Sequence, residues 1–381
     1  MKKILVINTK YRNFGGEDSN IHDEIKLLSL DYKIKYLEFD NSAIFTPLEA
    51  FFSLIGSNYF SNIKLKKIIN DYKPDIAYIH NVWYKANLGI FKVLVKKNIK
   101  VVHKIHNFRY LCTQHFSLNK HLNFQDNCHM CGMKKMNYAK FNKYYSESFF
   151  KSLVVIVFGK KYLNLIKNLE MKILVLNNFH KKNLENLGIK SESIQVFYNP
   201  IELQSINNYD PSSKDVVYAG RLTEDKGLIE LLESWKISNT KNLNLIIIGD
   251  GELKKDLEQK FKNKNIIFKG YQTNQKTLEY ISKARAVVTC TKLYEGQPRL
   301  LSEASSMGVP SIFPSFGGMD DYFPNNYRLS FNQFDYSDFC EKINLLNNES
   351  LLLKLSKDVY KTFSQLINPS TLQKQFEKII N

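Results

Sequence analysis

Residues 216–227 read Val-Val-Tyr-Ala-Gly-Arg-Leu-Thr-Glu-Asp-Lys-Gly. An apolar run that ends at Gly220, followed by a short polar segment and an amphipathic stretch, predicts a β-strand, a loop and a helix. Arg221 and Lys226 lie five residues apart at the predicted helix start. At this helix start, the two cations and the free backbone N–H groups can surround one anionic group. An ordinary surface loop is the commoner outcome for such a stretch, so the anion site is a hypothesis.

The same alternation of short apolar runs with longer amphipathic stretches extends over both halves of the chain. The predicted strands are Ile4–Ile7, Ile34–Leu37, Ile76–Ile79, Val101–Ile105 and Ile173–Leu176, then Val216–Ala219, Leu245–Ile248, Ile266–Phe268, Ala286–Cys290 and Ser311–Phe313. Turn-forming residues bound each run. We therefore predict an α/β protein with two Rossmann-like, doubly wound domains that face a central cleft, where the carboxyl ends of the strands bind ligands.

A cluster of turn formers separates the two series of strands. It comprises Tyr198-Asn199-Pro200 and, after it, Asn207-Asn208-Tyr209-Asp210-Pro211. The predicted first domain covers residues 1–198, and the predicted second domain covers residues 199–364. A C-terminal helix at about 365–381 is a candidate to pack back on the first domain. Two domains are the expected organisation for 381 residues, because a single core stops growing near this length.

Composition excludes several classes of protein. The chain is 44% hydrophobic with five cysteines, which excludes a disordered chain and a disulfide scaffold. No apolar run approaches the ~20 residues of a spanning helix, so we expect a protein of a reducing, cytoplasmic compartment. The net charge of +17 is concentrated in the first 200 residues, which hold 31 basic and 15 acidic side chains. This half is predicted to attract polyanions such as nucleic acid or an anionic leaflet, with a merely solvated lysine-rich surface as the alternative.

Two glutamates stand out in the second half. Residues 294–304 read Tyr-Glu-Gly-Gln-Pro-Arg-Leu-Leu-Ser-Glu-Ala, so Glu295 and Glu303 are eight positions apart. This spacing is about two helical turns, which places both carboxylates on the same side, with Glu295 at the loop and Glu303 one step deeper. Carboxylates accept paired hydrogen bonds from the vicinal hydroxyls of a ribose or hexose. Two solvated acids are the alternative. Gly249-Asp250-Gly251 also follows a predicted strand, as a turn that lets a ligand approach the backbone.

Taken together, these stretches resemble the family 4 nucleotide-sugar glycosyltransferases, which have the two-domain GT-B fold. The Glu-x7-Glu signature of that family is met by Glu295 and Glu303, with Gly296 to Arg299 matching its Gly-x-Pro-Arg variant. Its strand-Gly-Arg-Leu-x3-Lys-Gly element is matched by Gly220 to Gly227. The resemblance covers nearly the whole chain. It implies that the domain at 1–198 binds the acceptor and that the domain at 199–364 binds the nucleotide-sugar. It implies a hexosyltransferase that retains anomeric configuration and uses a nucleotide-sugar, with a UDP-sugar as the expected donor.

The resemblance also implies roles for individual residues. Arg221 and Lys226 would clamp the donor diphosphate, so that no divalent metal or other cofactor is required. Glu303 would hold the ribose hydroxyls, Glu295 and the backbone near Gln297 would orient the sugar, and the region of Tyr271 would face the base. In the first half, the glycine loop at Gly15 and Gly16 would lie near phosphate and acceptor. His106, at the end of a predicted strand, would lie beside the donor sugar; a structural histidine is the alternative.

Three cysteines of the first half have a spacing that suits zinc. Cys112, Cys128 and Cys131 form Cys-x15-Cys-x2-Cys, with His115, His121 or His129 as a fourth ligand. A similar cysteine set occurs in a subgroup of the bacterial polysaccharide transferases, so metal bound here would be structural. Buried free thiols are the alternative, because no fourth ligand has a compelling spacing.

Residues 133–172 mix lysines with aromatic side chains. The aromatic members are Tyr138, Phe141, Tyr144, Tyr145, Phe149, Phe150 and Phe158. A helix with this mixture can lie at an anionic membrane surface. The alternative is that the aromatic side chains belong to the core and the lysines are solvated.

With the family context, the mixture suggests a peripheral protein on the inner face of the plasma membrane that glycosylates a glycan or a lipid-linked oligosaccharide in capsule or O-antigen assembly. A basic nucleic-acid-binding module and a sugar-nucleotide epimerase or phosphorylase of the same architecture remain alternatives, although we expect no nucleic acid partner.

Overall fold

The computed structural model describes residues 1–10, 16–41, 46–110, 148–203 and 209–381. The chain divides into two compact units. The first comprises Met1–Pro200 together with Pro369–Asn381, and the second comprises Ile201–Asn368. The division falls two residues after the boundary predicted from the turn formers. The segment that returns to the first unit begins at Pro369 and forms a helix, whose first turn proline suits well.

The described part of the first unit is a six-stranded parallel sheet with helices. Its strands are β1 (Lys3–Lys10), β2 (Lys33–Asp40), β3 (Ile76–Ile79), β4 (Lys100–Lys104), β5 (Lys172–Val175) and β6 (Ile194–Val196). Its helices are α1 (Gly16–Leu28), α2 (Pro47–Ile55), α3 (Tyr59–Tyr72), α4 (Gly89–Lys96), α5 (Phe149–Asn168), α6 (Asn178–Asn186) and, from the C-terminus, α13 (Pro369–Ile380). The strand order is β2-β1-β3-β4-β5-β6, with Ile4 opposite Ile76 in the pairing of β1 with β3.

The second unit repeats this architecture. Its strands are β7 (Asp215–Ala219), β8 (Asn244–Ile248), β9 (Ile266–Gly270), β10 (Ala286–Val288), β11 (Ser311–Ser315) and β12 (Ser330–Asn332). Its helices are α7 (Leu228–Ile237), α8 (Lys254–Lys260), α9 (Asn274–Ser282), α10 (Arg299–Ser306), α11 (Tyr336–Leu345) and α12 (Glu349–Leu366). The order β12-β11-β10-β7-β8-β9 is parallel throughout. The predicted α/β class with two doubly wound domains is therefore confirmed.

Buried apolar strands form the centre of each unit. All four residues Ile4–Ile7 of β1 are wholly inaccessible to solvent, and the strand interiors of the second sheet are almost as deeply buried. Continuous apolar strands of this kind are expected where helices cover both faces of a parallel sheet. The returning helix α13 packs on the first unit through Phe376, whose ring lies 5.2 Å from the ring of Tyr78 and 5.7 Å from that of Phe197.

The lysine- and aromatic-rich stretch 133–172 is described only from residue 148 onward. Phe149 and Phe150 are exposed at the beginning of α5, but Phe158 is wholly buried and packs 4.8 Å from the ring of Trp83. The assignment of Phe158 to a membrane-facing surface is therefore wrong, because α5 uses this face to cover the sheet. Tyr138, Phe141, Tyr144 and Tyr145 lie outside the described residues. No helix in the described ranges combines the length and the apolar character needed to cross a membrane.

Candidate functional site

The loops that follow β7, β8 and β10 join at the carboxyl edge of the second sheet. The backbone N–H of Leu222 donates to the carbonyl of Asp250 at 2.9 Å, and the N–H of Lys292 donates to the carbonyl of Asp225 at 2.9 Å. Backbone hydrogen bonds of this kind fix the loops relative to one another. In open α/β sheets this edge is where ligands bind.

Glycines allow these loops to lie unusually close together. A Cβ atom on Gly249, which has a φ of +139°, would lie 1.9 Å from the carbonyl oxygen of Gly220. A Cβ atom on Gly227, whose φ is +67°, would lie 1.9 Å from the carbonyl oxygen of Cys290. Real Cβ atoms essentially never come so near another atom. The turn at Gly249 was predicted to let a ligand approach the backbone, and this stays a prediction. The structure adds a second reason for the glycine, which is the close packing of the neighbouring loop.

The two cations singled out in the sequence flank a helix start as predicted. Residues Glu224–Lys226 form a single 3-10 turn, and Gly227 leads into α7. The guanidinium of Arg221 donates to the carboxylate of Asp225 at 3.0 Å and is mostly exposed. The ammonium of Lys226 donates to the carboxylate of Glu295 at 2.5 Å. Arg221 is held at the surface, where such a pair exchanges readily with water or another anion. The pair of Lys226 and Glu295 is only 20% exposed on each side.

The two glutamates occupy different structural positions. Helix α10 begins at Arg299, so Glu295 precedes it in a loop and only Glu303 is helical. The placement of Glu295 in the loop and of Glu303 deeper in the fold is as predicted, but the two helical turns assumed between them are wrong, because the helix begins only at Arg299. Pro298 marks the helix start, because its ring fixes φ near the helical value but removes a hydrogen-bond donor. Glu303 is 5% exposed, and its carboxylate accepts a hydrogen bond from Arg299 Nε at 2.7 Å.

The segment between Glu295 and Glu303 is fixed by hydrogen bonding and burial. The hydroxyl of Tyr322 donates a short hydrogen bond to the carbonyl oxygen of Gly296, and the side chain of Gln297 is buried. The hydroxyl of Thr291 donates to the carboxylate of Glu295 at 3.3 Å. Tyr271 follows β9 and is 76% exposed, which leaves its ring accessible for stacking on a base. These residues all belong to the second unit.

In the first unit, His106 follows β4 and meets a second histidine. His80 follows the adjacent strand β3, and its Nδ1 lies 2.8 Å from Nε2 of His106. The two ring planes are 27° apart with their centroids at 5.1 Å, and at the short N–N distance one imidazole donates its N–H to the other. His103 faces elsewhere: it is buried within β4 and bonds the hydroxyl of Tyr162 and the carbonyl of Ile79.

A buried ion pair lies behind these histidines. Glu24 of α1 and Lys104 at the end of β4 are 2.6 Å apart, and their side chains are 1% and 0% exposed. Oε2 of the same carboxylate lies 3.9 Å from Nε2 of His80. Burial raises the pKa of Glu24 and lowers that of Lys104, and the attraction between the two charges opposes both shifts. Removing only one partner of such a buried pair is strongly destabilising, because it leaves the other charge buried without compensation.

The same environment keeps the histidines neutral. Burial lowers the pKa of His80 and of His106 well below the usual imidazole value, and the charge on Lys104 contributes in the same direction. Burial also lowers the pKa of His103 to about 4. At neutral pH, His106 is therefore a neutral imidazole that can both donate and accept a hydrogen bond.

Some predicted residues cannot be placed. Gly15, Cys112, Cys128 and Cys131 lie outside the described residues, as do His115, His121 and His129, so the zinc site stays a prediction. Gly16 is exposed and is the first residue of α1. Within the described ranges, no group of three His, Cys, Asp or Glu side chains forms a candidate metal site.

Sequence reasoning missed His80, Glu24, Lys104 and Arg299. A signal existed for His80, because it follows an apolar run as His106 does, and adjacent parallel strands end at the same edge. Glu24 lies between Ile21 and the apolar end of α1, on the buried face, where an acid requires a partner.

Comparison with known proteins identifies the second unit. Residues 201–362 match the family model described as glycosyl transferases, group 1, and the match lies wholly within this unit. The second unit is a group 1 glycosyl transferase domain. Its loops carrying Arg221, Lys226, Glu295 and Glu303 therefore belong to a domain of known family.

Curated relatives are similar to this chain over shorter alignments. An uncharacterized glycosyltransferase of Methanocaldococcus jannaschii is 26% identical over 65% of this chain and 57% of its own length. The amylovoran biosynthesis glycosyltransferase AmsD of Erwinia amylovora is 31% identical over 37% of this chain and 42% of its own. A UDP-Gal:alpha-D-GlcNAc-diphosphoundecaprenol alpha-1,3-galactosyltransferase of Escherichia coli is 24% identical over 55% of this chain and 58% of its own length. The chain spans about half the length of the curated relatives it matches.

Solved structures extend the fold assignment to both units. HepE from Anabaena, solved in complex with UDP and glucose, aligns over 99% of both chains with a TM-score of 0.69 and 15% identity. WaaG, a glycosyltransferase involved in lipopolysaccharide biosynthesis, aligns over 99% of both chains with a TM-score of 0.61 and 12% identity. The predicted GT-B fold is thereby confirmed.

Proposed function

We propose that this chain is a retaining glycosyltransferase that moves a hexose from a UDP-sugar to a glycan or lipid-linked oligosaccharide in the assembly of a bacterial surface polysaccharide. The observation that carries the proposal is the group 1 domain, in which Arg221, Lys226, Glu295 and Glu303 lie on adjoining loops at the carboxyl edge of the sheet. The names of the relatives support it, since they include amylovoran, capsule and O-antigen transferases.

The geometry suggests how the donor is held. A diphosphate would compete with Asp225 for Arg221 and with Glu295 for Lys226, and both cations lie near the surface. In this proposal the two cations supply the positive charge that offsets the leaving diphosphate. The carboxylate of Glu303 accepts hydrogen bonds from the ribose hydroxyls, and Arg299 holds this carboxylate in position. The exposed ring of Tyr271 is available to the base.

The proposed transfer step takes place on one face of the donor sugar. The bond between the anomeric carbon and the diphosphate oxygen breaks, and its electron pair leaves with the diphosphate. The acceptor oxygen forms the new bond on the same face, and its proton passes to the departing phosphate. Glu295, with the backbone near Gln297, orients the sugar, so the contribution of the protein is positioning and electrostatic stabilisation.

In the first unit we assign His106 a hydrogen bond to a hydroxyl of the donor sugar. Its neutral imidazole suits this role, because a neutral ring can donate from one nitrogen and accept at the other. Gly15 and Gly16 are assigned a place near the phosphate of the donor and the acceptor. We further propose that the protein works at the inner face of the plasma membrane as a peripheral protein, where a lipid-linked acceptor is accessible.

A nucleotide-sugar screen tests the donor site. UDP-, GDP- and ADP-sugars are added to the wild type, to Glu303→Ala and to Glu258→Ala, and the melting temperature and the rate of sugar release are measured. Glu258 is an exposed acid of α8 and serves as the matched control. Stabilisation of the wild type and of Glu258→Ala by UDP-sugars, with loss in Glu303→Ala, supports the proposal. Equal stabilisation of all three proteins would remove Glu303 from the site, and no stabilisation of any would refute the donor assignment.

The anomeric outcome is tested on the product. With an α-linked UDP-sugar and the accepted acceptor, proton NMR of the isolated product should show an α-glycosidic bond. A β-linked product would refute retention while leaving the donor site intact.

A further inference from the structure

A ridge of exposed apolar side chains runs along α2 and the start of α3 in the first unit. Leu48, Phe51 and Ile55 follow one another on the outer face of α2, and Tyr59, Phe60 and Ile63 continue the row on α3; together we call these six residues the apolar ridge. Their exposure lies between 46% and 64%. A contiguous apolar surface of this kind usually marks an interaction site.

An apolar cavity opens beside the end of this ridge. It has a volume of about 580 Å³ and lies between the end of α2, the start of α4 and the second half of α5. Ile55, Leu88, Phe91, Leu165 and Leu169 supply much of its lining. The lysines Lys92, Lys160 and Lys161 also line it and are exposed, so the cavity has apolar walls and a cationic rim.

A second groove of about 330 Å³ adjoins the first and is more basic. Its lysines are Lys66, Lys92, Lys96 and Lys97, of which Lys92 also lines the apolar cavity. The hydroxyl of Ser57 and the amide of Asn62 complete its polar lining. The two hollows therefore form one continuous surface, with an apolar end and a cationic end.

The charges of this surface favour an anionic occupant. Six lysines line the two hollows, and no Asp or Glu lines either of them. Across the described part of the chain, none of the six forms an ion pair with a carboxylate. Lys161 instead donates to the backbone carbonyl of Ile55 at 2.8 Å, which ties α5 to the end of α2. Unpaired lysines next to exposed aromatic and aliphatic side chains are typical of surfaces that lie in a lipid interface.

We propose that this surface binds an anionic phospholipid of a bilayer. The apolar ridge enters the interface, one acyl chain occupies the apolar cavity, and the phosphate of the head group lies among the lysines of the second groove. A nucleic acid would neutralise the lysines but would leave the ridge and the apolar cavity in water, so the combination favours a lipid. This surface would make the membrane contact proposed above, and its binding of lipid does not depend on sugar transfer.

Vesicle flotation with the full chain tests this assignment. Vesicles of phosphatidylcholine alone are compared with vesicles that contain phosphatidylglycerol, and we expect strong binding only to the latter. Lys92→Gln/Lys96→Gln should weaken binding on the order of 30-fold, since each lysine near an anionic surface contributes roughly fivefold. Phe51→Ala should weaken it about tenfold through lost apolar contact.

Matched variants in the second unit serve as controls. Lys262→Gln/Lys264→Gln removes two exposed lysines and Ile237→Ala removes an exposed apolar side chain, and both should bind vesicles as the wild type does. Millimolar inorganic phosphate should not displace the protein, because it lacks an acyl chain. UDP-sugar stabilisation of every variant is measured in parallel, so that loss of the donor site is distinguished from loss of lipid binding.

Three results would overturn the proposal. The first is equal binding to neutral and anionic vesicles, and the second is equal weakening by the control lysine pair. The third is tighter binding of a short oligonucleotide than of anionic vesicles with the same dependence on Lys92 and Lys96, which would assign the surface to nucleic acid.

Discussion

Replacement of Gly249 by alanine separates two explanations of the glycine turn after β8. If the glycine admits a ligand, Gly249→Ala should fold normally and lose nucleotide binding. If it admits the neighbouring loop, as the structure indicates, the protein should lose stability. The new Cβ would lie 1.9 Å from the carbonyl oxygen of Gly220 and 3.0 Å from its carbonyl carbon. Both are backbone atoms, so the contact cannot be relieved by rotating a side chain.

The magnitude follows from two contributions. The φ of +139° at Gly249 costs an alanine about 1–3 kcal/mol, as for other sparsely populated backbone conformations. Displacing the backbone of the neighbouring loop adds roughly 1–3 kcal/mol, the usual cost of overpacking. Gly249→Ala should therefore lower the free energy of unfolding of the second unit by about 2–6 kcal/mol.

A neighbouring glycine provides the control. Gly270 has a φ of +65°, but a Cβ there would meet only the ammonium of Lys254 at 3.3 Å, which can move away. Gly270→Ala should therefore cost about 1–2 kcal/mol, from the backbone alone. Urea denaturation followed by circular dichroism measures both variants. Equal losses of stability, or a stable Gly249→Ala that no longer binds UDP, would refute loop packing as the role of this glycine.

Three further predictions concern the first unit. His80→Phe removes the hydrogen bond to His106 and should lower kcat of sugar transfer about 10- to 100-fold without changing the dissociation constant for UDP, whereas His80→Gln should recover part of the loss; equal rates for both variants would contradict a positioning role. Glu24→Gln and Lys104→Met should each destabilise by about 3–5 kcal/mol in urea titrations, and the double variant should cost clearly less than the sum. His103 has a pKa of about 4 when folded against 6.5 when unfolded, so its contribution to stability is complete above pH 6.5 and about 2 kcal/mol is lost on acidification to pH 5; His103→Gln should flatten this part of the stability curve.

The sheets were predictable because their strands are buried on both faces. Ten of the twelve strands in the described residues coincide with apolar runs bounded by turn formers. The two that were missed are β6 and β12, which have three residues each and lie at the sheet edges. Edge strands have one hydrogen-bonded neighbour, so a short strand there needs no continuous apolar run.

The candidate site was predictable where sequence neighbours form it, and not where distant residues do. Arg221 and Lys226 lie on one turn, and local spacing was enough to find them. The partner of Lys226 is 69 positions away in Glu295, and the partner of Glu24 is 80 positions away in Lys104. An acid in a helix is usually solvated, so the burial of Glu24 depends on a packing arrangement that periodicity does not reveal.

The ion pairs at the carboxyl edges of the two sheets differ in how far they are exposed to solvent, and this decides how easily each pair can be broken. In the second unit the side chains of Lys226 and Glu295 are each 20% exposed, and Arg221 is 65% exposed. Exposed pairs are worth only about 0–1 kcal/mol, so the proposed diphosphate would displace Asp225 from Arg221 at little cost. The pair of Lys226 and Glu295 is intermediate, because it keeps some contact with water. The pair of Glu24 and Lys104 is excluded from water, and breaking it costs several times as much. Its geometry should therefore persist during the contact proposed between His106 and the donor sugar, as is required of a group that supports a positioned imidazole.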